Sequence, residues 1–517
     1  MATDETKRHR IVNKLQDLKA DNFSEAEAIL GYAEELRNLT FEDVLALQLS
    51  EVLPKASLTD SSRKGALGNL LEEHYFGYTI NSDSQPDFPN AGMELKVTPV
   101  EYGNNRKKEW VIKAGERLVL TMIPNNCEIP VEYEGSSLEK KTSDILLINY
   151  LRDHSLKNTE QMIKFVNRYQ ISGEDLEIIK ADYEKITKLV QAGRAHELSE
   201  GMTNYLGACT KGATAEKSLR TQFYPMVNED GSLEYIPAKS RAFSLKQSFM
   251  TSLVQRFEKE QKEADQLVNN LRELKENSFD DVVLHLLAPF EKRYSTDLGA
   301  EMAPDLNPNA KNFHNALTWR LLGSKKKRIE EFDKANISVK AVRVQKNGEI
   351  KEKLKLKNFK FLDLHSETKW EESEWYSLLS DKRYLFVVYQ EDERGYYLRG
   401  AFFWAVPTHL IGGEEFENNT GTAYEYWLDT KNKLREGIVL KQKGNMITNN
   451  FLGVADNPIC HIRPGADARA YRFTDGRPEI GNVKKDANQL PDGQWMTKQA
   501  FWINTQLIAQ EIKLNLP

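Results

Sequence analysis

The feature that most constrains the fold is an internal similarity between the two halves of the chain. Three segments of the first half match three segments of the second half, and the matches occur in the same order. The pairs are KGALGNLLEEHYFG (64–77) with AKNFHNALTWRLLG (310–323), DFPNAGMELK (87–96) with EFDKANISVK (331–340), and RAFSLKQSFMTSLV (241–254) with QAFWINTQLIAQEI (499–512). A collinear set of this kind predicts a duplicated fold.

Length and charge restrict the class of protein further. The chain has 517 residues, which at about 100–200 residues per domain allows two to four domains. Its 71 basic and 77 acidic residues give a net charge of −6, which excludes a basic coat for nucleic acid but allows a local basic cleft. No run approaches the roughly 20 apolar residues of a membrane span, and no apolar segment follows the basic N-terminus. We therefore expect a cytoplasmic protein with no membrane partner.

Several common functional motifs are missing from the sequence. The three cysteines, Cys127, Cys209 and Cys460, lie far apart, so neither a disulfide framework nor a C-x-x-C zinc site is expected. The nine histidines form no H-E-x-x-H motif. The sequence also contains no G-K-S or G-K-T of a P-loop and no G-x-S-x-G elbow, which argues against ATP-driven translocation and serine hydrolysis.

Hydrophobic periodicity predicts helices and strands in both halves, which defines a mixed α/β (α+β) class. Helical spacing covers 11–50, with Ser24 and Thr40 as N-caps, and returns at 64–76, where Gly77 is a fitting C-cap, and at 143–196. Strand-like runs occur at 93–100, 109–113, 118–123, 384–389 and 400–406.

A charged helical stretch at 248–277 separates the halves. We interpret it as a helix that connects two domains, although its loose heptads leave a coiled coil as the alternative. The predicted division is a first domain at 1–255, a helical linker at 256–280 and a second, related domain at 281–517.

One motif in the first half carries hydrolytic chemistry. Asp87, Glu94 and Lys96 form the pattern D, six residues, E-x-K. In a strand, Glu94 and Lys96 project from one face. Two carboxylates can hold Mg²⁺ and leave sites for water and phosphate, and the metal would lower the pKa of the water. Lys96 would orient the nucleophile or neutralise the phosphorane. The pattern alone is also compatible with an ordinary exposed strand.

The sequence around this motif resembles the MutH family of DNA endonucleases. The resemblance rests on KGALGNLLEEHYFG (64–77) followed by DFPNAGMELKVTPV (87–100), and it extends through ELSEGMTNYLG (197–207) and KSRAFSLK (239–246). It implies that Glu72 joins Asp87 and Glu94 as a metal ligand. It also implies that Lys96 and a second lysine, Lys113, are catalytic.

The length and the second copy resemble one branch of that family, the Sau-type restriction enzymes that cut GATC. Those enzymes combine a catalytic MutH-like domain with a MutH-like domain that binds effector DNA. The second copy has Thr318, Glu331 and Ser338 where the first has Glu72, Asp87 and Glu94. It keeps Lys340 at the place of Lys96, and the alignment sets Leu379 at Lys113. Losing carboxylates predicts a degenerate domain that does not cut.

The resemblance also indicates residues that contact DNA. The family's reading loop corresponds to IRPGADAR (462–469) in the second copy, with Arg463, Pro464 and Arg469. The first copy has CTKGATAEK (209–217) instead, in which the Arg and Pro are missing while Lys211 remains. Arginine is the usual reader of guanine, so the altered loop leaves the site read by the cutting domain open. The other predicted contacts are Lys64, Arg241, Ser244 and Lys246, together with the basic runs at 106–108 and 325–328.

These observations favour a type II restriction endonuclease that hydrolyses double-stranded DNA with Mg²⁺. The resemblance implies cutting before the G of GATC, binding of a second DNA site, a cognate DNA methyltransferase as functional partner, and a monomer that dimerises on DNA. Two alternatives remain at this stage. One is a mismatch-repair-style nicking endonuclease, and the other is a DNA-binding protein whose catalytic site has decayed.

Overall fold

A computed structural model of the protein describes residues 2–49, 65–77, 85–104, 109–211, 218–258, 264–268, 271–414, 416, 418–444 and 446–517. Lys64 and the basic run at 106–108, both predicted to contact DNA, lie outside these residues. In the described part of the chain, no helix combines the length and the apolar character needed to cross a membrane.

The first half alternates helices and strands, as its mixed periodicity predicts. In chain order they are α1 (Ala2–Ala20), α2 (Ala26–Ala33), α3 (Phe41–Ala46), α4 (Ala66–Leu71) with a π-helical turn (Glu72–Phe76), β1 (Glu94–Asn104), β2 (Trp110–Ala114), β3 (Leu118–Ile123), α5 (Ser137–Thr142), β4 (Ile145–Leu151), β5 (Met162–Tyr169), α6 (Gly173–Gln191), β6 (Leu206–Thr210), β7 (Leu219–Arg220), β8 (Met226–Val227), β9 (Leu233–Glu234), β10 (Ala238–Lys239), β11 (Arg241–Leu245) and α7 (Gln247–Phe257). Short 3-10 turns occur at Glu34–Leu36, Asn158–Glu160, Ala195–Glu197 and Glu200–Met202.

The second half continues with a similar succession of elements. They are α8 (Leu271–Glu276), α9 (Phe279–Leu287) with a 3-10 turn (Ala288–Phe290), α10 (Ser295–Met302), α11 (Phe313–Leu321), α12 (Glu330–Lys334), β12 (Ile337–Val344), β13 (Leu354–Phe359), α13 (Phe361–Ser366), α14 (Glu374–Ser380), β14 (Arg383–Glu391), β15 (Tyr396–Ala405), α15 (Thr408–Ile411), α16 (Ala423–Glu436), β16 (Lys441–Lys443), β17 (Met446–Thr448), β18 (Cys460–Pro464), α17 (Val483–Asp486), β19 (Ala487–Gln489), β20 (Trp495–Thr497), β21 (Gln499–Ile503) and α18 (Thr505–Asn515).

The matching strands of the two halves are arranged in the same order, as the predicted duplication requires, although the main sheet has four strands in the first half and three in the second. In the first half the order is β2-β1-β4-β5, with β1 parallel to β4, and a smaller antiparallel sheet has the order β3-β11-β6. In the second half the orders are β12-β14-β15, with β12 parallel to β14, and β13-β21-β18. Both halves also shift register at the same place, after Asn149 in β4 and after Val388 in β14.

The core of the first half has two layers around its main sheet. Helices α1 to α3 cover one face, where Leu95, Leu146 and Ile148 pack. Helix α6 contributes to the other core, which contains Leu147 and Ile186. Alternate residues of each strand therefore point into different cores.

The two halves also share core residues. The cluster that includes Leu147 and Ile186 continues into Leu317 and Leu385 of the second half. Polar contacts join the halves as well, since Arg383 Nη1 donates to Asn204 Oδ1 at 2.6 Å and Lys334 Nζ lies 2.7 Å from Asp175 Oδ1. The halves are therefore packed against one another through apolar and polar groups.

Some local predictions were wrong. Residues 143–196 are not helical throughout, because the buried run there forms β4 and β5 before α6 begins. The 248–277 stretch is not one helix either, since α7 ends at Phe257 and Asp265 pairs with Ile329 as a β-bridge. Thr40 does cap α3, but Ser24 bonds Asp21 instead, and α2 has Glu25 at its N-cap. Gly77 caps the turn after α4 with φ +78°, as predicted.

Candidate active site

Strand β1 carries two of the predicted site residues on one face. Glu94 and Lys96 are two positions apart and so project from the same side, whereas Leu95 packs into the core beneath the N-terminal helices. Pairing with β4 fixes the register, because Glu94 lies opposite Ile145 and Lys96 lies opposite Leu147. Glu94 is only 1% exposed, so its carboxylate must be satisfied by groups of the protein or by a bound cation.

A tight turn before β1 brings Asp87 to the same place. The backbone groups of Phe88 and Met93 bond to each other in both directions, at 2.9 and 3.2 Å, which folds the intervening residues back on the strand. As a result, the Leu95 N–H donates to Asp87 Oδ2 at 2.9 Å and the Asp87 N–H donates to Glu94 Oε2 at 3.2 Å. The spacing of six residues between the two acids is what this turn requires.

Glu72 adds a third acid from the π-helical turn after α4. Burial and then the negative charge of Asp87 raise the pKa of Glu72 to about 7. Burial and then the charge of Glu94 likewise raise the pKa of Asp87. The Glu72 and Asp87 carboxyls are thus destabilised as anions by neighbouring acids, and Glu94 is among those neighbours of both.

Two lysines face this cluster. Lys96 forms an ion pair with Glu94, and Lys141 Nζ lies 3.4 Å from the same oxygen, Glu94 Oε1. The side chains of Lys96 and Lys141 are 18% and 14% exposed, so both cations are held close to the buried acid. Lys141 lies in the last turn of the short helix α5, shortly before β4 begins at Ile145.

Lys141, and not Lys113, therefore occupies the place expected of the second lysine. Lys113 lies on β2 opposite Glu101, which is seven residues along β1 from Glu94 and so roughly 23 Å away. The sequence resemblance indicates Lys113 because that lysine matches the family's second lysine with only a small gap, whereas Lys141 lies 45 residues after Lys96. The signal that could have identified it is its position just before a buried strand that pairs in parallel with the start of β1.

The donor set suits a hard divalent cation. Carboxylate oxygens are the ligands that Mg²⁺ prefers, and the raised pKa values of Glu72 and Asp87 reflect negative charge that a cation would compensate. Within the described residues, no group of three or more His, Cys, Asp or Glu side chains stands close enough to hold a metal ion. Lys96 instead neutralises Glu94, so binding of a metal would require the lysine and the acids to adjust.

The second half lacks this acidic cluster at the matching positions. Glu331 lies in α12 and accepts hydrogen bonds from the backbone of residues 267 and 268, both at 3.0 Å, and Thr318 is buried against Tyr389. Ser338 stands opposite Tyr384 as Glu94 stands opposite Ile145. Two of the three matching positions, Thr318 and Ser338, therefore carry no carboxylate, and the third, Glu331, has its carboxylate engaged by backbone N–H groups.

One alignment between the halves was wrong. Leu379 is a fully buried residue of α14, so it does not correspond to Lys113 of β2. Val100 pairs with Ala114 in the first half as Val344 pairs with Ile350 in the second half. The position that matches Lys113 is therefore Glu349, which precedes Ile350 as Lys113 precedes Ala114.

The predicted DNA contacts of the first half have different environments. Arg241, Ser244 and Lys246 are 5%, 0% and 3% exposed. Arg241 donates to the Ala208 carbonyl at 2.8 Å and Lys246 donates to the Thr203 carbonyl. These three side chains are part of the interior, and the sequence did not reveal it because every residue of β11 is buried, which leaves no alternation of apolar and polar residues to mark a covered face. Lys211 is half-buried at the end of β6.

The predicted contacts of the second half are more accessible. Arg469 is exposed, and Arg463 is half-buried with its guanidinium 5.4 Å from the centre of the Trp502 ring. Lys325, Lys326 and Lys327 of the basic run are exposed, whereas Arg328 forms an ion pair with Asp333. Basic groups at the surface therefore concentrate in the second half among the described candidates.

Comparison with known proteins agrees with the geometry of the site. A family model for the DNA mismatch repair enzyme MutH matches residues 76–182, which include Asp87, Glu94, Lys96 and Lys141. The type II restriction enzyme Sau3AI of Staphylococcus aureus is 34% identical over 481 residues, or 87% of this chain and 92% of that protein. The mismatch repair protein MutH of Vibrio cholerae is 25% identical over 231 residues, or 45% of this chain and 96% of its own length.

The acidic and basic cluster on β1, together with these relatives, defines a site-specific deoxyribonuclease. More narrowly, the chain belongs to the family of MutH-related type II restriction enzymes that includes Sau3AI. The resemblance predicted from 64–77 and 87–100 is confirmed at both levels, and DNA is the substrate implied for such a nuclease.

Proposed function

We propose that this chain cuts both strands of DNA at GATC, before the G, in a reaction that requires Mg²⁺. The observation that carries the proposal is the buried cluster of Asp87, Glu94 and Lys96 with Lys141 beside it, at the start of β1. Similarity to Sau3AI over 87% of the chain supports the assignment to a restriction enzyme.

Each residue of the cluster has a role that follows from its contacts. Glu72, Asp87 and Glu94 would hold Mg²⁺ once the carboxylates move together and Glu94 exchanges Lys96 for the metal, and the bound ion would supply a Lewis acid and a water of lowered pKa. Lys96, now paired with Glu94, orients the attacking water and takes up negative charge that develops on phosphorus. Lys141 approaches the same carboxylate from α5 and stabilises that charge from the other side.

The second half would bind a further DNA site and act as an effector. A cavity of about 370 Å³ in this half is lined by Lys340, Lys311, Arg343, Lys351 and Lys353, with Glu352 as the acidic residue among its charged lining. Clustered lysines and arginines suit phosphate groups of a DNA backbone. Arg463 and Arg469 add exposed or half-buried guanidinium groups on β18 and the loop after it.

Two consequences follow for partners. Because the chain has one such acidic cluster among its described residues, cutting of both strands requires two chains, so we expect a monomer that dimerises on DNA. A nuclease for so short a site also needs a cognate DNA methyltransferase to protect cellular DNA. Both partners would be met in the cytoplasm.

The test is digestion of plasmids that carry one or several GATC sites, with Mg²⁺ or with EDTA. The wild-type chain should give fragments with 5′-GATC ends only when Mg²⁺ is present, and plasmids with several sites should be cut faster. Glu94→Ala should still bind DNA but should cut at least about 1,000-fold more slowly. Lys346→Ala, which alters an exposed ion pair with Glu393, serves as the control for handling and folding.

Other products would identify other functions. Nicked circles without linear DNA would indicate a mismatch-repair-style nickase, and linear DNA with different ends would retain the nuclease but reject GATC. DNA binding without cleavage under any of these conditions would contradict the catalytic assignment.

A further inference from the structure

Three polar side chains lie buried on the catalytic face of the main sheet of the first half. Thr98 and Asn149 are 2% and 0% exposed, and Asn167 is half-buried. We call Thr98, Asn149 and Asn167 the polar trio. Thr98 Oγ1, Asn149 Oδ1 and Asn167 Nδ2 are buried atoms that have no hydrogen-bond partner among the described residues.

Strand pairing makes the polar trio a contiguous group next to Lys96. Thr98 follows Lys96 by two residues on the same face of β1, and its pairing partner on β4 is Asn149. Asn167 pairs with Leu147, which in turn pairs with Lys96, so Asn167 is the diagonal neighbour of Asn149.

A side-chain bond already ties this group to the catalytic strand. Asn149 Nδ2 donates to the backbone carbonyl of Thr98 at 3.4 Å. The bond crosses from β4 to β1 at Thr98, two residues beyond Lys96. Any group that orders the Asn149 side chain therefore also fixes the part of β1 from which Lys96 projects.

The second half has apolar residues at all three matching positions. In the strand register, Lys340 of the second half matches Lys96 of the first. Val342 then matches Thr98, and its partner Val388 matches Asn149. In the same way, Phe402 pairs with Phe386 where Asn167 pairs with Leu147. All three residues of the second half belong to its hydrophobic core.

The comparison separates a structural need from a functional one. The same sheet, with the same register shift, is built in the second half from Val342, Val388 and Phe402, so the fold does not require polar groups there. Buried polar atoms without partners destabilise a protein, whereas apolar groups of the same shape do not. The half that keeps the acidic cluster is the half that keeps these polar groups.

We infer that the polar trio holds ordered water behind the catalytic strand and so acts as a set of positioning residues for Lys96. Buried water satisfies just such donors and acceptors, typically through about three hydrogen bonds. Here Thr98 Oγ1, Asn149 Oδ1 and Asn167 Nδ2 supply one donor, one acceptor and one group that can do either. The water would fix the Asn149 amide and, through it, the backbone of β1.

The inference rests on the proposed nuclease function, and the experiment uses the second half as its guide. Thr98→Val and Asn149→Val introduce the residues found at the matching positions of that half. Single-turnover cleavage should slow about 10-fold or more, as is typical when groups that orient active-site residues are removed, while DNA affinity remains within about twofold. Thr98→Ser should keep the wild-type rate because it keeps the hydroxyl.

Thermal unfolding of the same variants distinguishes positioning from a structural role. The Val variants should unfold close to the wild-type temperature, because the second half builds the same positions from Val342 and Val388 within its hydrophobic core. The converse substitution Val388→Asn should lower the unfolding temperature without changing the cleavage rate.

The possible results are distinct. Wild-type rates in both Val variants would overturn the inference, and so would a loss of rate that follows a loss of stability and returns at lower temperature. A wild-type chain that does not cut DNA at all would instead overturn the proposed function.

Discussion

Lys141 Nζ lies 3.4 Å from Glu94 Oε1, although the two residues are 47 positions apart in the sequence. The contact arises because β4 runs parallel to β1 and begins beside Glu94, so that the end of α5 is carried to the start of β1. A parallel pair thus brings two distant segments together at one end of the sheet. The same topology leaves Lys113 at the other end of β1.

This relationship predicts that Lys141 and Lys113 differ in their effect on cleavage. Lys141→Ala removes a cation beside the buried acid and should reduce the single-turnover cleavage rate about 100-fold. Lys113→Ala, as the matched lysine variant outside the cluster, should stay within about threefold of wild type. Equal losses in both variants would contradict the assignment of the second lysine.

The raised pKa of Glu72 predicts how the stability of the metal-free protein depends on pH. Its folded-state pKa is raised from 4.5 to about 7, so the folded protein binds its proton more tightly than the unfolded chain does. The contribution of this carboxyl to the free energy of unfolding is therefore most favourable below pH 4.5 and declines as the pH rises toward 7. Glu72→Gln should unfold at a higher temperature than wild type at pH 8 and at a similar temperature at pH 4.5.

The control for that prediction is Glu134→Gln, because the ion pair with Lys180 lowers the pKa of Glu134 instead. Glu134→Gln should unfold at pH 8 at a temperature no higher than that of the wild type. A Glu72→Gln protein less stable than wild type across the whole pH range would show that the carboxyl is stabilising as an anion.

Lys96 and Lys340 occupy matching positions and should have separable roles. Lys96→Ala should slow cleavage about 100-fold on every plasmid, because the lysine contacts Glu94 in the acidic cluster. Lys340→Ala should leave cleavage of a one-site plasmid unchanged but should remove the faster cutting of a plasmid with several sites, since Lys340 lines the basic cavity. Loss of one-site cleavage in Lys340→Ala would argue against an effector role for that cavity.

The contacts of Arg383 predict how much the packing of the two halves contributes to stability. It is 4% exposed, and its guanidinium binds Asp280 and also donates to Asn204 of the first half at 2.6 Å. Arg383→Ala leaves Asn204 and the half-buried Asp280 without their buried partner and should reduce the free energy of unfolding by about 3 kcal/mol, measured in urea. Arg394→Ala, at an exposed pair with Asp297, should change it by less than about 1 kcal/mol.

Much of the fold was accessible from the sequence because its signals are local or repeated. The matched segments at 64–77 and 310–323 form α4 with its π-helical turn and α11, and those at 241–254 and 499–512 form β11–α7 and β21–α18. Residues 143–196 were misread as helical because a fully buried strand such as β4 has no alternation that distinguishes it from a buried helix.

The sequence predicts the site residues that are close together in the chain but not those that are far apart. Asp87, Glu94 and Lys96 lie within ten positions, so their spacing carries the geometry of the turn and strand. Lys141 depends on the pairing of β1 with β4, which no local pattern reports. The burial of Arg241 and Lys246 depends on what covers β11, and a polar side chain in a strand does not show whether it meets solvent or a carbonyl oxygen.

Because one core runs from Leu147 through Leu317 to Leu385, we expect the two copies to unfold together as one cooperative unit. A protease that severed the chain between Phe257 and Leu271 would leave two fragments held together without a covalent link, since each would otherwise expose apolar surface to water. The second copy has lost two of the three carboxylates of the first, yet its residues complete a core that both copies share. Mutations in it would then be eliminated for their effect on folding, even at positions remote from any DNA.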